Sequence, residues 1–268
     1  MNAFRTLFCA AVTGLVIVSN GPALGSVSVT RLDDKGRWAD IEISGEITSA
    51  DATRFADLVR LLHPKIDMLT VQLNSPGGDV ASSLKIGDII RSNWLLTVVS
   101  DGSDGSPANE CESACVLIFA AGAVRAAWDG SKVGIHRPYF DQRLFAGLTP
   151  DQARVKYDAL SREVQAYLAK MGMAEELFIE MMKVPSNEIR TLTLDELEKF
   201  SLVGEDPGRA EYYRARNVTK YGADAMRAWD AWMARSNQYA ASCQATGKSF
   251  DVCIREFNRS NPDPLAGK

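Results

Sequence analysis

Histidine is scarce in this chain: His63 and His136 are the only two among 268 residues, and cysteine stops at five. A zinc centre built from Cys and His ligands has too few of them to draw on, so no metal is expected, and no motif asks for a cofactor. No run of Lys or Arg occurs, and the formal net charge is −4. Neither nucleic acid nor an anionic membrane surface is therefore expected as a partner. Beyond the N-terminal stretch, no apolar run approaches the roughly 20 residues of a bilayer span. Internal repeats of fixed period are also absent, which sets solenoids and propellers aside. What is present is 46% hydrophobic and 24% charged residues, ordinary values for a globular chain with one large domain and room for an appendage.

The first 25 residues read as an export signal. Arg5 supplies the positive flank, Leu7 to Val18 a short apolar core, and Ala23-Leu24-Gly25 a small-residue cleavage site ahead of Ser26. The expected location is periplasmic, with an uncleaved N-terminal anchor as the alternative. Cys9 leaves with such a signal, and Cys111, Cys115, Cys243 and Cys253 remain. In an oxidising compartment an even number of cysteines predicts disulfides, with connectivity open at this level. Local pairing is the simplest expectation. Cys243 and Cys253 bracket a Gly247 turn, whereas Cys111 and Cys115 can meet only if the first helical turn between them is distorted.

Ser26 to Ile47 alternates around Val27, Val29, Ile41, Ile43 and Ile47, which predicts two strands about an Asp33–Gly36 turn. Thr48 to Asp51 is a helix-start signal, and His63-Pro64 closes that helix. His63 is then simplest as a residue at the negative end of the helix dipole. Met68 to Leu73 is a compact apolar strand, Val80 to Ile90 a helix and Leu95 to Val99 a strand. Asp101 to Asn109 is a polar loop, and short extended pieces follow at Val124–Trp128 and Val133–His136. From Leu148 onward the pattern is helical. Strand–helix alternation as far as His136 predicts an α/β sheet.

Three stretches carry the candidate chemistry. Gly77-Gly78 lies between a strand and a helix, where unshielded backbone N–H groups can hold an anion or oxyanion. Ser113 stands at the head of an apolar helical segment ending at Gly122, as a cap or as a nucleophile. His136 closes an apolar strand and offers a base that titrates near neutrality. Cys111 or Cys115 could replace Ser113 as nucleophile, although an oxidising compartment tends to bridge them. Lys132 could pair with the serine, but its Asp129-Gly130-Ser131 setting suits an exposed turn lysine.

In order and spacing, "LNSPGGDV", "CESACVLIFAAG" and "VGIHRP" resemble the proteolytic subunit of the Clp protease (ClpP). In that family an "NSPGG" turn, an "ASM" nucleophile helix and an "IHQP" strand follow one another. The resemblance spans roughly residues 39 to 204 and includes "LTLDELEKFSLV", which is similar to the family's "LSAPEAVEYGLV". It implies an α/β, ClpP/crotonase-like spiral of β-β-α units over 26–204, followed by a helical C-terminal extension over 205–268. It also implies a serine peptidase with Ser113 as nucleophile, His136 as general base, and the N–H groups of Gly78 and Ala114 as oxyanion hole.

The third triad member departs from the family pattern. An Asp is expected three residues before Leu192, and Ile189 stands there. Asn187 is the expected substitute, since Asn can hold a histidine tautomer, with Glu188 as the second choice. Peptides or unfolded proteins are the substrates implied. Exported, the chain would work without an ATPase partner, and the family's rings suggest a homo-oligomer. The rival readings are a binding protein that kept the fold without full catalysis and, more remotely, a crotonase-type acyl-CoA enzyme.

Overall fold

The structure is a computed structural model, and it describes residues 25–32, 37–100, 108–128, 130–139 and 146–266. The expected signal segment, most of the Asp101–Asn109 loop and the Asp33–Gly36 turn lie outside the described residues.

Two alternating segments form β1 (Ser26–Leu32) and β2 (Trp38–Ser44), which pair antiparallel. Helix α1 (Ser49–Leu62) begins on a reciprocal cap in which the Thr48 N–H donates to Asp51 Oδ2 at 2.8 Å. Strand β3 (Met68–Asn74) adds parallel to β2, with Ile41 opposite Val71 and Ile43 opposite Leu73. Helix α2 (Val80–Ser92) is capped by Asp79, whose carboxylate accepts from Ser82 N at 2.8 Å. Parallel pairing continues through β4 (Leu96–Val99) to β6 (Val124–Ala127), and the sheet ends on the antiparallel β9 (Gly204–Glu205). Among the described residues its order is β1-β2-β3-β4-β6-β9.

A second, smaller sheet holds β5 (Glu110–Glu112), β7 (Lys132–Ile135) and β8 (Arg190–Thr191) in the order β5-β7-β8. Strand–helix alternation therefore yields the α/β architecture that the pattern predicts. Strands of two or three residues, such as β5, β8 and β9, have no readable period and emerge only from pairing with longer neighbours.

The core lies between the large sheet and its helices, around Ile41, Ile43, Leu69, Val71, Phe55, Ile86 and Ile90. Helix α3 (Cys115–Ala120) is apolar on every side and buried along its whole length, as a helix without a polar face must be. The long helix α4 (Pro150–Lys170) docks on it through Tyr167, whose hydroxyl donates to Leu117 O at 3.0 Å. Burial pushes that phenol well above its usual range, so it stays protonated and keeps donating. The docking needs Gly87, because a Cβ there would come within 1.7 Å of the Tyr167 oxygen.

After α5 (Glu175–Lys183) and α6 (Leu194–Lys199), the chain continues as α7 (Arg209–Tyr221), α8 (Ala223–Gln244) and α9 (Phe250–Ser260). Helix α7 is fastened by Arg216, whose guanidinium donates to the carbonyls of His63 and Asp67 at 3.0 Å each and of Ile66 at 2.6 Å. Tyr212 of α7 also stacks on Trp94, with ring centroids 5.3 Å apart. Cys243 and Cys253 are bonded, closing the α8–α9 hairpin, with the Trp232 and Phe257 rings packed beside the turn-distal end. No described helix is long and apolar enough to cross a membrane.

Candidate active site

Ser113 is presented by a sharp strand-to-helix turn. Strand β5 ends at Glu112 and α3 begins at Cys115, so Ser113 lies outside the helix rather than in its first turn as the apolar pattern suggested. Its φ is +55°, a left-handed conformation that costs a non-glycine residue about 1 kcal/mol or more. The Ser113 N–H donates to Gly134 O at 2.9 Å, which ties the turn to the strand leading into His136. Cys111 and Cys115 are bonded across this turn, with Cα atoms 5.2 Å apart. The distortion that such close cysteines require is supplied by the turn itself.

His136 follows β7 and is buried, with 5% of its surface exposed. Its Nε2 lies 2.6 Å from Ser113 Oγ, and its Nδ1 lies 2.8 Å from the carbonyl of Arg137. A carbonyl can only accept, so Nδ1 carries the proton and the Nε2 lone pair faces the serine hydroxyl. Burial lowers the His136 pKa below the ordinary value of 6.5, opposed by the Arg137 hydrogen bond. The imidazole is thus neutral at neutral pH, the state a general base needs. The segment is pinned on both sides, since Arg137 N donates to Val184 O at 3.1 Å and Leu192 N to Val133 O at 2.8 Å.

Gly77 and Gly78 both take positive φ, +104° and +144°. A Cβ on Gly77 would lie 2.7 Å from Ser113 Cβ, and one on Gly78 would lie 2.4 Å from Ile47 O. Only glycine therefore allows this turn to sit between the serine and the end of the β2 segment. Neighbouring amides are committed: Ile47 N donates to Gly77 O at 2.8 Å and Asp79 N to Ile47 O at 2.9 Å. The N–H groups of Gly78 and Ala114 donate to no acceptor among the described residues. Ser75 braces the whole turn, donating from Oγ to Gly45 O at 2.6 Å and accepting from Gly77 N at 3.1 Å.

Asn187 is not brought to the imidazole. It lies exposed on the turn between α5 and β8 and makes no hydrogen bond to His136 among the described residues; Glu188, also exposed, makes none either. Ile189 lies over β7, where a Cβ on Gly134 would meet its Cγ2 at 2.5 Å. The position beside Nδ1 is filled by the Arg137 carbonyl, a backbone group that no side-chain pattern could have revealed. Ser75, by contrast, acts through its side chain, and a serine two residues ahead of a Gly-Gly turn is a recognisable brace that the motif reading passes over.

These groups open on a cleft of about 1310 Å³ whose lining includes Ile47, Gly78, Ser113, His136, Leu160 and Val164. The arrangement offers a hydroxyl with a proton acceptor, two free amides and an apolar wall. It can therefore support nucleophilic attack on a carbonyl held in the cleft. Among the described residues no cluster of His, Cys, Asp and Glu could hold a metal ion. A search of curated proteins finds no match to the chain. The family model for the Clp protease matches residues 27–178, more than half of the chain and the part that carries the serine, the histidine and the glycine turn. The chain belongs to the Clp protease family.

Proposed function

We propose that this chain is an exported serine peptidase that cleaves peptides or unfolded proteins without an ATPase partner. The observation that carries the reading is the 2.6 Å contact of Ser113 Oγ with a His136 whose other nitrogen is already engaged. Ser113 attacks the scissile carbonyl while His136 Nε2 takes its proton. The oxyanion that develops is met by the N–H groups of Gly78 and Ala114, a contribution of about 3 to 4 kcal/mol per donor. His136 then passes the proton to the leaving amine, and water, activated by the same imidazole, releases the acyl group. The Arg137 carbonyl holds the tautomer but bears no full charge, so the imidazolium is less stabilised than beside a carboxylate.

Both disulfides support an oxidising compartment, where a cytosolic ATP-driven unfoldase is absent. Substrates are then those that need no unfolding. The test is hydrolysis of fluorogenic peptides and of a denatured protein without nucleotide. Cleavage that is lost in Ser113→Ala is the expected result. Cleavage that persists in that variant, or that requires ATP and an added unfoldase, contradicts it. A second reading is favoured by the missing carboxylate at Nδ1: a protein that binds peptides in the cleft without cutting them. Peptide binding with no Ser113-dependent turnover is its signature.

A further inference from the structure

We propose that the Cys111–Cys115 disulfide is the positioning device of the Ser113 nucleophile, so that Ser113 becomes reactive only when this bridge is oxidised. The inference rests on the reading of Ser113 as a nucleophile and adds a condition to it.

Cys111 is the better-anchored end. It lies at the centre of β5, opposite Val133 of β7 on one side and bridged to Ser75 on the other. Ser75 N donates to Glu110 O at 2.7 Å, and Glu112 N to Ser75 O at 3.0 Å, so both peptide units flanking Cys111 are held. Cys115 opens α3, and both cysteines are 0% exposed. Between these fixed ends lie the left-handed Ser113 and the free Ala114 amide. A non-glycine residue stays in that conformation only where its surroundings over-determine it. The backbone hydrogen bonds at Ser113, from its N–H to Gly134 O at 2.9 Å and from Val116 N to its carbonyl at 3.1 Å, hold its peptide groups but leave the span between the two ends of the turn to be set. The covalent link adds a restraint of a different kind, fixing the separation of the turn's two ends, whose Cα atoms lie 5.2 Å apart. With it, the hydroxyl and the Ala114 amide are set relative to His136 and Gly78.

Bridge formation proceeds by thiol–disulfide exchange with an external disulfide carrier. One cysteine thiolate attacks a carrier sulfur and forms a mixed disulfide, expelling the other carrier sulfur as a thiolate. The second cysteine attacks the mixed disulfide, and two electrons and two protons leave on the carrier, now a dithiol. A chain that has not met such a carrier has an unclamped turn and a poorly placed nucleophile. Once folded around the bridge, both sulfurs are out of reach of solvent. Oxidation is therefore a one-way step from silent to competent protein. The Cys243–Cys253 bridge closes the α8–α9 hairpin, and neither of its cysteines lines the cleft.

Saturation kinetics of a fluorophosphonate probe on the full chain test this. Wild type, C111A/C115A and C243A/C253A are compared at a temperature where circular dichroism shows each to be folded. The expected result is a maximal inactivation rate at least about tenfold lower in C111A/C115A with the probe's KI within about twofold, since misplacement of a nucleophile acts on the chemical step. C243A/C253A is expected to stay within about twofold of wild type in both constants, because that bridge is remote from the reacting groups. An unchanged maximal rate in folded C111A/C115A overturns the proposal while leaving Ser113 as nucleophile. Should that variant not fold, wild type refolded in a dithiol and then oxidised replaces it. Reactivity that rises with bridge formation in a chain folded throughout supports the proposal. Equal reactivity before and after, or a reduced chain that is unfolded, overturns it. Failure of oxidised wild type to label at all removes the nucleophile reading and the proposal together.

Discussion

In the proposed mechanism, protonating His136 removes the lone pair that receives the Ser113 proton, so the pH at which this happens sets the acid limit of the proposed activity. Burial lowers the His136 pKa below 6.5, and the acid limb of kcat/KM is expected below that value, with full activity at neutrality. A limb centred above 6.5 would show that a carboxylate or another anion reaches the imidazole. His63 is lowered as well, chiefly by burial and then by the Arg216 charge. For both residues the unfolded chain binds more protons than the folded one at acid pH. The stability these two residues contribute is therefore fully present above about pH 6.5 and declines as pH falls through the lowered values, which unfolding midpoints measured from pH 7.5 to 5 would reveal. Because Nδ1 is held by the Arg137 carbonyl, Asn187→Ala is expected to change kcat/KM by less than about twofold; a loss of about a hundredfold or more would put Asn187 in the machinery after all. Gly78→Ala is expected to abolish turnover, since its Cβ would run into the Ile47 backbone.

At the level of elements, the site is an assembly of turns held by strands. The Gly77-Gly78 turn after β3, the Ser113 turn after β5 and the His136 segment after β7 converge because β3, β5 and β7 are laterally joined through the Ser75–Cys111 bridge and the β5–β7 pairing. The order of the three motifs was legible in the sequence because each has a local signature: glycines after a strand, a serine before an apolar helix, a histidine ending a strand. The third group was not legible, since it is a main-chain carbonyl whose position depends on how Val184 and β8 pin the strand. The left-handed φ of Ser113 was hidden too, as nothing local distinguishes a helix cap from a turn spanned by a disulfide. The long helices of the C-terminal part were readable from apolar spacing, but their attachment was not. That attachment runs through Arg216, one of many scattered arginines until the chain folds. Arg216→Ala is expected to lower stability by about 1 to 3 kcal/mol in urea unfolding. It should also expose α7–α9 to limited proteolysis before the Clp-like part, while cleavage that begins within 49–204 would argue for a different attachment.

For the whole molecule, the two bridges connect structure to compartment. All four cysteines after Cys9 are paired, so thiol titration in denaturant of a chain lacking residues 1–25 is expected to find no free thiol. Free cysteines in protein recovered from its native compartment would detach the fold from an oxidising environment. Membership of the Clp protease family, a cleft flanked by Ser113 and His136, and amides at Gly78 and Ala114 that donate to no acceptor among the described residues all support the proposed chemistry. The proposed activation of Ser113 by His136 underlies every step of that chemistry. It is tested most directly by treating the folded, oxidised chain with a fluorophosphonate and locating the adduct by mass spectrometry. A single adduct on Ser113 is expected, absent in Ser113→Ala and slowed in His136→Ala by about a thousandfold or more. No adduct on well-folded, oxidised protein, or an adduct that forms as fast without His136, would contradict it.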